Sequence, residues 1–460
     1  MLNTIWLGLV ALAVLIGAAT GRLAEVTAGA FQMADTAVMK IALPLVGIMA
    51  LWLGLMRLAE RSGLVQQLAR ALRTPMRWLF PDVPENHPAM GSMLMNMAAN
   101  MLGLANAATP LGLRAMRDLE TLNKVPGTAT NAMCTFLAIN TSSIQLIPAT
   151  AIAILAANKA QDPTAIVGTA LIATTFSTIA GVSAVKWMQG WKMFRIEPDA
   201  APAPEKAQAA AAEPEVVIAP EPSPLTLRGR LTLWLLLGIF AALFAWIAFA
   251  PASYRSATSS LHQAIFPSQV ALPAWEDTSA QHAALRAVGT LSLLAVPFLL
   301  IFFPSYAALR GVKVYEEFVE GAKDGFGVSL KIIPFLVAIL VAIGMFRGAG
   351  GIEALKSLLT PLLAPLGFPA DLLPLVLVRP LSGSASIGLF TELVQRLGPD
   401  DIVVRMAGTI FGSTETTFYV IAVYFGAVAI RRTRHAIAAG LTADFVGVVA
   451  SVIICRLMFG

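Results

Sequence analysis

The sequence predicts an all-α fold: a polytopic helical membrane protein with two inverted-topology repeats, each with a re-entrant segment and an interrupted helix. Three observations carry this prediction. Charged residues make up only 13% of the 460 positions against 57% hydrophobic ones, and the mean hydropathy is +0.74. A water-facing surface takes roughly twice that charge, about 25%. Apolar runs recur at the length a bilayer demands, roughly 20 residues for a helix. The basic residues gather in alternate loops, as the positive-inside rule requires. These features exclude a soluble enzyme, a nucleic-acid-binding domain and a disordered chain. The net charge of +5 therefore says less than where the charges sit.

Taken in order, Leu2–Gly21 is uncharged and has no basic stretch before it, so it reads as a retained helix rather than a signal peptide. Thr164–Val185, Leu231–Tyr254 and Ala287–Leu309 are uncharged runs of spanning length. Val125–Asn158 is also uncharged, but Asn140 to Ser143 and Pro148 interrupt it. Ile41–Met56 and Ile332–Phe346 are shorter and follow Lys40 and Lys331. Met406–Ile430 carries only Glu415, and Ala436–Cys455 only Asp444. That gives about nine spans. Pro88–Leu113 and Leu372–Leu397 are too rich in Asn, Ser, Gly and Pro for plain spans and read as re-entrant or broken. Such backbone is tolerated at membrane depth only under protein or beside water. The expected division is 1–196, a linker over 197–228 rich in Ala, Pro and Glu, and 229–460.

With the linker placed in the cytoplasm, the loops on that side, Arg57–Pro88, Leu113–Lys124, Lys186–Arg230, Arg310–Lys331 and Arg431–His435, hold 21 of the 32 Lys and Arg. The N-terminus then lies inside and the C-terminus outside, in a bacterial cytoplasmic (inner) membrane. The halves repeat four features in one order. Ala37–Met56 with Lys40 and Pro44 matches Lys331–Phe346 with Lys331 and Pro334. Thr74-Pro75 matches Thr360-Pro361 in an amphipathic piece. The small-residue stretch Asn96–Pro110 matches Arg379–Phe390, and the interruption Ile139–Pro148 matches Phe411–Val420. The two copies run in opposite senses, the pattern of secondary transporters whose site lies where broken helices meet.

The polar interruptions supply the candidate site. In Asn140-Thr141-Ser142-Ser143-Ile144-Gln145 five of six side chains hydrogen-bond inside an apolar run. Leaving them unpaired in hydrocarbon costs several kcal/mol each, so they face protein, water or solute. Helix–helix glue is one reading. A solute site is the other, favoured because Ser413-Thr414-Glu415-Thr416-Thr417 stands at the equivalent point. Glu415 is an ionisable group deep in a span, its plainer reading being a pair with Arg379 or Arg405. Arg379 precedes Pro380, Ser382, Ser384 and Ser386; small residues at a helix start with an arginine beside them would cradle an anion, or simply pack closely. Asn96, Asn100 and Asn106 would form the partner half-site, Asn96 and Asn100 sharing a helix face; a structural amide ladder is the alternative. Asp444 and Lys40 are weaker candidates, Lys40 reading as a residue that snorkels to the interface.

No standard enzyme chemistry appears. The four histidines are scattered, Cys134 and Cys455 sit in apolar runs, and no P-loop, metalloprotease or nucleophile-elbow motif occurs. The sequence implies no cofactor and no metal.

The same motifs carry a family resemblance. N-M-A-A-N-M-L-G-L-A-N-A-A-T-P-L-G-L-R-A-M with I-N-T-S-S-I-Q-L-I-P resembles the spore maturation A family. R-P-L-S-G-S-A-S-I-G-L-F with G-S-T-E-T-T-F-Y-V-I-A-V-Y-F-G resembles the spore maturation B family. The chain is similar to a fusion of the two, over nearly everything but the linker, each half resembling a Gate (nucleoside-recognition) domain. That domain also occurs in concentrative nucleoside transporters and a ferrous-iron transporter. The resemblance implies an integral membrane protein of transporter-like architecture without naming a substrate. The re-entrant motifs lack cysteine, which disfavours ferrous iron.

The expectation is a secondary transporter moving a small polar or anionic solute by alternating access. Coupling would run to H⁺ through Glu415 or to Na⁺ through the hydroxyl and amide clusters. Its partners would be the lipid bilayer, the solute and further copies of itself in a homo-oligomer, with no nucleic acid. The alternative is a non-transporting membrane scaffold or regulator. An intramembrane enzyme has the least support, because too few catalytic groups cluster.

Overall fold

The computed structural model describes residues 2–103, 105–142, 145–195, 223–265, 281–363 and 367–460. Among them every regular element is helical; an isolated parallel bridge joins Thr128 to Arg432. Among the described residues six helices are long and apolar enough to cross a membrane.

The chain starts with α1 (Leu2–Thr20) and α2 (Leu23–Asp35). The latter runs without a break through a π-helical stretch, Thr36–Ala42, into α3 (Leu43–Arg61). The wider turn falls just ahead of Pro44, where Leu43 N donates five residues back to Val38 O; a π-turn is one of the few ways a helix absorbs a proline. The run expected over Ile41–Met56 is thus part of a 39-residue helical rod, Leu23–Arg61. Next comes α4 (Leu64–Leu79), which turns Val65, Ala69 and Met76 inward and Arg70 and Arg73 outward. A hairpin follows, α5 (Pro88–Met101) and α6 (Ala105–Glu120), turned at Gly103, whose positive φ of 76° favours glycine. An interrupted helix, α7 (Asn131–Ser142) and α8 (Ala149–Ala157), leads to the long α9 (Ile166–Met188). Residues 196–222, most of the expected linker, lie outside the described residues.

The second half opens with α10 (Leu227–Phe249), capped by Thr226, and α11 (Pro251–Ile265). The run expected to reach Tyr254 ends at Phe249, because Pro251 lacks the amide proton a continuing helix needs. Then come α12 (Ala283–Leu309) and the 35-residue α13 (Val314–Gly348). Arg310–Lys331, expected as a loop, is helical from Val314 onward. The charges there pair instead of melting the helix. Lys323 meets Glu320 at 2.9 Å, and Glu317 takes Arg57 at 2.8 Å and Arg61 at 3.3 Å from the end of α3. At 1.5 Å per residue α13 is about 50 Å long, well beyond a hydrocarbon core of about 30 Å, so its charged first turns stand clear of the apolar layer. After it follow α14 (Gly351–Leu363), α15 (Leu373–Val378) and α16 (Gly383–Leu397). A second interrupted helix, α17 (Ile402–Ser413) and α18 (Thr417–Gly426), precedes α19 (Ala436–Phe459).

Long helices from the two parts of the chain pack on each other: α3 along α13, and α9 along α19. The broken helices cross over, α17 resting on α9 and α7 on α19. Glycines make these approaches possible. A Cβ on Gly325 of α13 would lie 2.7 Å from the Ala50 Cα, and one on Gly181 of α9 would lie 3.0 Å from the Ala443 Cβ.

Candidate functional site

Two helix breaks face each other at the centre of these crossings. At the first, α7 stops at Ser142; Leu146 N then donates to Met101 O at the hairpin turn of α5 and α6 (3.0 Å). At the second, α17 stops at Ser413; Phe418 N then donates to Pro380 O in the turn between α15 and α16 (2.9 Å). Each break is therefore tied to the short turn of its own half. The breaks are also tied to each other, because Glu415 N donates to Thr141 O at 2.9 Å. Backbone amides and carbonyls freed by a break must find partners in an apolar medium, and here part of that demand is met across the two halves.

Arg379 organises the second break. Its side chain is 5% exposed. The guanidinium donates to Phe411 O (2.9 Å), to Thr414 O and, at 3.4 Å, to the Thr416 hydroxyl, and it lies over the Phe411 ring. Glu415 stands 4.0 Å away with its side chain 37% exposed. Arg379 is thus the partner of Glu415, while Arg405 turns to Asp400 and the Phe459 ring. Arg379 is spent chiefly on the carbonyls that end α17, both of which accept from its Nη2.

The expected helix start at Pro380 falls elsewhere. Pro380 lies in the turn, and α16 begins at Gly383 behind Ser382, whose hydroxyl accepts Ala385 N at 3.2 Å. Ser386 is buried and donates to Ser382 O, and Ser384 is half-buried in the first turn. Ser413 meets the Ser451 hydroxyl at 3.2 Å and Thr414 bonds back to Ile410 O. In the first break, Thr141 and Ser142 bond back to Ala138 O and Ile139 O, and Gln145 is half-buried. Ser143 and the Asn106 side chain lie outside the described residues.

The amides do come together. Asn100 donates to Asn140 Oδ1 at 2.8 Å and to Asn96 Oδ1 at 3.4 Å; Asn96 donates to Ala108 O at 2.7 Å. A chain of contacts therefore runs Asn96, Asn100, Asn140, Thr141, Glu415, Arg379, linking the candidate residues of the two halves. Sequence reasoning missed Tyr424, whose hydroxyl receives Asn96 Nδ2 at 3.3 Å while its ring stacks on Phe136. Gly112 makes room for that ring. Thr417, the last residue of the polar run at the second break, donates to Asp444 Oδ2 at 2.6 Å. Lys40 is exposed, away from this network. Two apolar cavities lie beside the breaks. One of about 590 Å³ runs between α1, α13 and α14 to α16, past Trp6, Phe346 and Leu389. One of about 380 Å³ runs between α3, α4 and α12, past Leu68, Ile147 and Phe302. Among the described residues no group of His, Cys, Asp and Glu has the spacing to hold a metal.

Comparison with known proteins follows the same division. Residues 42–159 and 329–431 match the Gate family model, described as nucleoside recognition, and each matched segment contains one break. Spore maturation protein B of Bacillus subtilis (strain 168) is 44% identical over 176 residues, which is 38% of this chain and 99% of that protein. Spore maturation protein A of the same organism is 43% identical over 182 residues, 40% of this chain and 92% of that protein. An Escherichia coli (strain K12) protein named only as uncharacterized protein YjiH is 36% identical over 103 residues, 22% of this chain and 45% of that one. No solved structure matches.

Proposed function

This chain belongs to the spore maturation A and B family of Gate-domain membrane proteins, as a fusion of the two, and we propose that it is a secondary transporter of a small polar or anionic solute. In this reading residues 1–196 and 229–460 are inverted-topology repeats, A-like and B-like, and the α5–α6 and α15–α16 hairpins are their re-entrant segments. The chain sits in a bacterial cytoplasmic membrane as a homo-oligomer, with its N-terminus and linker inside and its C-terminus outside. The observation that supports it most is the hydrogen bond from Glu415 N to Thr141 O, which puts two broken helices from different halves end to end. Alternating access would part this seam on either side in turn, and the polar groups now satisfied across it would be offered to solute. Arg379 gives the seam a positive centre, which favours a solute with an anionic or carbonyl-rich face.

Counterflow in proteoliposomes tests this. Vesicles holding the full chain and preloaded with unlabelled uridine, succinate or a dipeptide should accumulate the matching labelled compound for one class. Glu415→Gln should lower the rate several-fold. No movement for any of the three, with Glu415→Gln silent in cells, would sink the reading.

A second reading, a scaffold or regulator that moves nothing, draws on the tightness of the seam. A Cβ on Gly440 would lie 2.7 Å from Thr417 Cγ2, one on Gly447 2.8 Å from Thr414 Cγ2, and one on Gly412 2.6 Å from the Pro148 ring. It predicts that Arg379→Ala acts only through protein abundance.

A further inference from the structure

Asp444 is the buried carboxylate that the site as described leaves half used. It lies on α19 and is 6% exposed. Oδ2 accepts the Thr417 hydroxyl at 2.6 Å, at the first residue of α18 just past the second break. Oδ1 is buried and has no partner. The helix face around it looks onto both breaks. Gly440, one turn before, packs against Thr417 and Thr141, and Gly447, just after, against Thr414 and Ser177. Ser177 of α9 spends its hydroxyl on the neighbouring Ala443 O.

The charged groups acting on Asp444 are Arg379 and Glu415. Arg379 is committed to the carbonyls of the second break and stands within ion-pair distance of Glu415, with no such pair to Asp444. Of the other titratable groups on helices packed against α19, Tyr419 of α18 is exposed and the rest are engaged elsewhere. Lys186 of α9 donates to Leu79 O, Cys134 of α7 points to Thr433 O, Cys455 meets Thr409, Arg405 of α17 pairs with Asp400, and Tyr424 of α18 meets Asn96. Arg286 of α12 donates to Ala248 O. A bare carboxylate buried in the apolar layer without a cation is costly enough that nature rarely leaves one.

We propose that Asp444, rather than the more exposed Glu415, holds the cation that drives solute movement, taken up on Oδ1 between the two helix breaks. This rests on the transport reading above and deepens it. One open oxygen offers one bond, which a proton needs, whereas a metal cation needs a shell of several oxygens. Thr417 ties the event to the second break: ionisation strengthens its hydrogen bond to Oδ2 and holds the start of α18 against α19, and proton uptake loosens it. Because α18 also carries Tyr424 to the Asn96 cluster of the other half, one element touches both the carboxyl and the candidate solute groups.

Infrared difference spectroscopy on the full chain in lipid nanodiscs tests this without a known solute. Buffer is switched between mildly acid and alkaline at fixed sodium, then between sodium and choline at fixed pH. The expected result is a carboxylic-acid carbonyl band that follows pH, vanishes in Asp444→Asn and persists in Glu415→Gln. Thr417→Val, which keeps the carboxyl and removes its donor, should shift the band rather than abolish it, and it covers the case in which Asp444→Asn fails to fold. The proposal is overturned if the wild type gives no such band, if Glu415→Gln removes it, if Thr417→Val leaves it unmoved, or if it answers to sodium alone. Failure of counterflow with this band intact would overturn the transport reading and leave the carboxyl assignment standing as cation binding.

Discussion

At the scale of single residues, the second break depends on one cation. Deleting the Arg379 side chain strips donors from Phe411 O and Thr414 O, and an unsatisfied buried acceptor costs about 1–3 kcal/mol. Arg379→Ala should therefore lower stability by roughly 3 kcal/mol, read as earlier thermal unfolding in detergent. Arg379→Lys should recover little, since one ammonium cannot reach the two carbonyls and the Thr416 hydroxyl while lying flat on the Phe411 ring; full recovery would mean that charge alone matters. His435, which caps α19 outside its apolar run, is fully buried with both ring nitrogens unpartnered. Burial first, and then the charges of Arg434 and Lys186, hold its pKa down at about 4. The unfolded chain takes up a proton near 6.5 and the folded one only near 4, so stability is fully present above about pH 6.5 and falls as pH drops toward 4. A melt series from pH 7 to pH 5 should show a loss of about 2 kcal/mol that His435→Phe flattens, at about 1.4 kcal/mol per pKa unit. Which residues matter was only partly legible. Asn96, Asn100, Asn140, Arg379 and Glu415 stood out because polar groups in apolar runs are conspicuous, and all five fall in one connected network. Tyr424 did not, because a tyrosine in the run Tyr419–Gly426 counts as one more apolar residue until its hydroxyl is seen on Asn96. Asp444 was under-weighted against Glu415 because the sequence cannot say which carboxylate is left with an open oxygen.

At the scale of elements, the α3–α13 crossing sets the clearest test. A Cβ on Gly325 would stand 2.7–2.9 Å from backbone atoms of Met49 and Ala50, which cannot swing aside as a side chain would. Gly327, two residues on, has nothing within 4 Å. Gly325→Ala should cost about 1–3 kcal/mol by overpacking, and Gly327→Ala should be neutral or better. Equal effects in unfolding assays would mean that these helices are not packed in this register. Element boundaries were legible where apolar length or a proline set them, as at Phe249 ahead of Pro251. They were illegible where charge continued a helix. Glu316, Glu317, Glu320, Lys323 and Asp324 read as a loop, yet their pairs with Arg57, Arg61, Lys313 and one another carry α13 and α3 out of the apolar layer side by side. The interruptions themselves were visible as Asn, Ser, Thr and Pro, but their partners were not, since the bonds from Leu146 to Met101 and from Phe418 to Pro380 are made by backbone atoms that every residue type shares.

At the scale of the whole molecule, the halves are interleaved rather than adjacent. The longest contacts, α3 with α13 and α9 with α19, run across the divide, while α10 and α12 pack chiefly on each other, and each break is completed by the other half. Even the loops beyond are stitched: Arg431 N and Arg432 N both donate to Gly127 O, and Ala129 N returns a bond to Arg432 O. At the periphery α1 packs on α13 and α12 reaches α3 as well as α10, and an apolar cavity opens beside the α1–α13 and α12–α3 contacts. Neither half alone can then bury its helix faces or pair the backbone of its break. The covalent linker contributes effective concentration, not contacts. Residues 1–210 and 211–460 produced as separate chains in one cell should co-purify through a tag on either, while each produced alone should be degraded or aggregate. The complex should unfold in one step, and Gly325→Ala in one fragment should weaken recovery of the other. That spore maturation proteins A and B of Bacillus subtilis are separate chains, each covered almost entirely by part of this one, fits an interface able to assemble without the linker. Two fragments that fold and purify independently would show the interleaving to be dispensable, and the bond between Glu415 N and Thr141 O could then not be a structural centre of the protein.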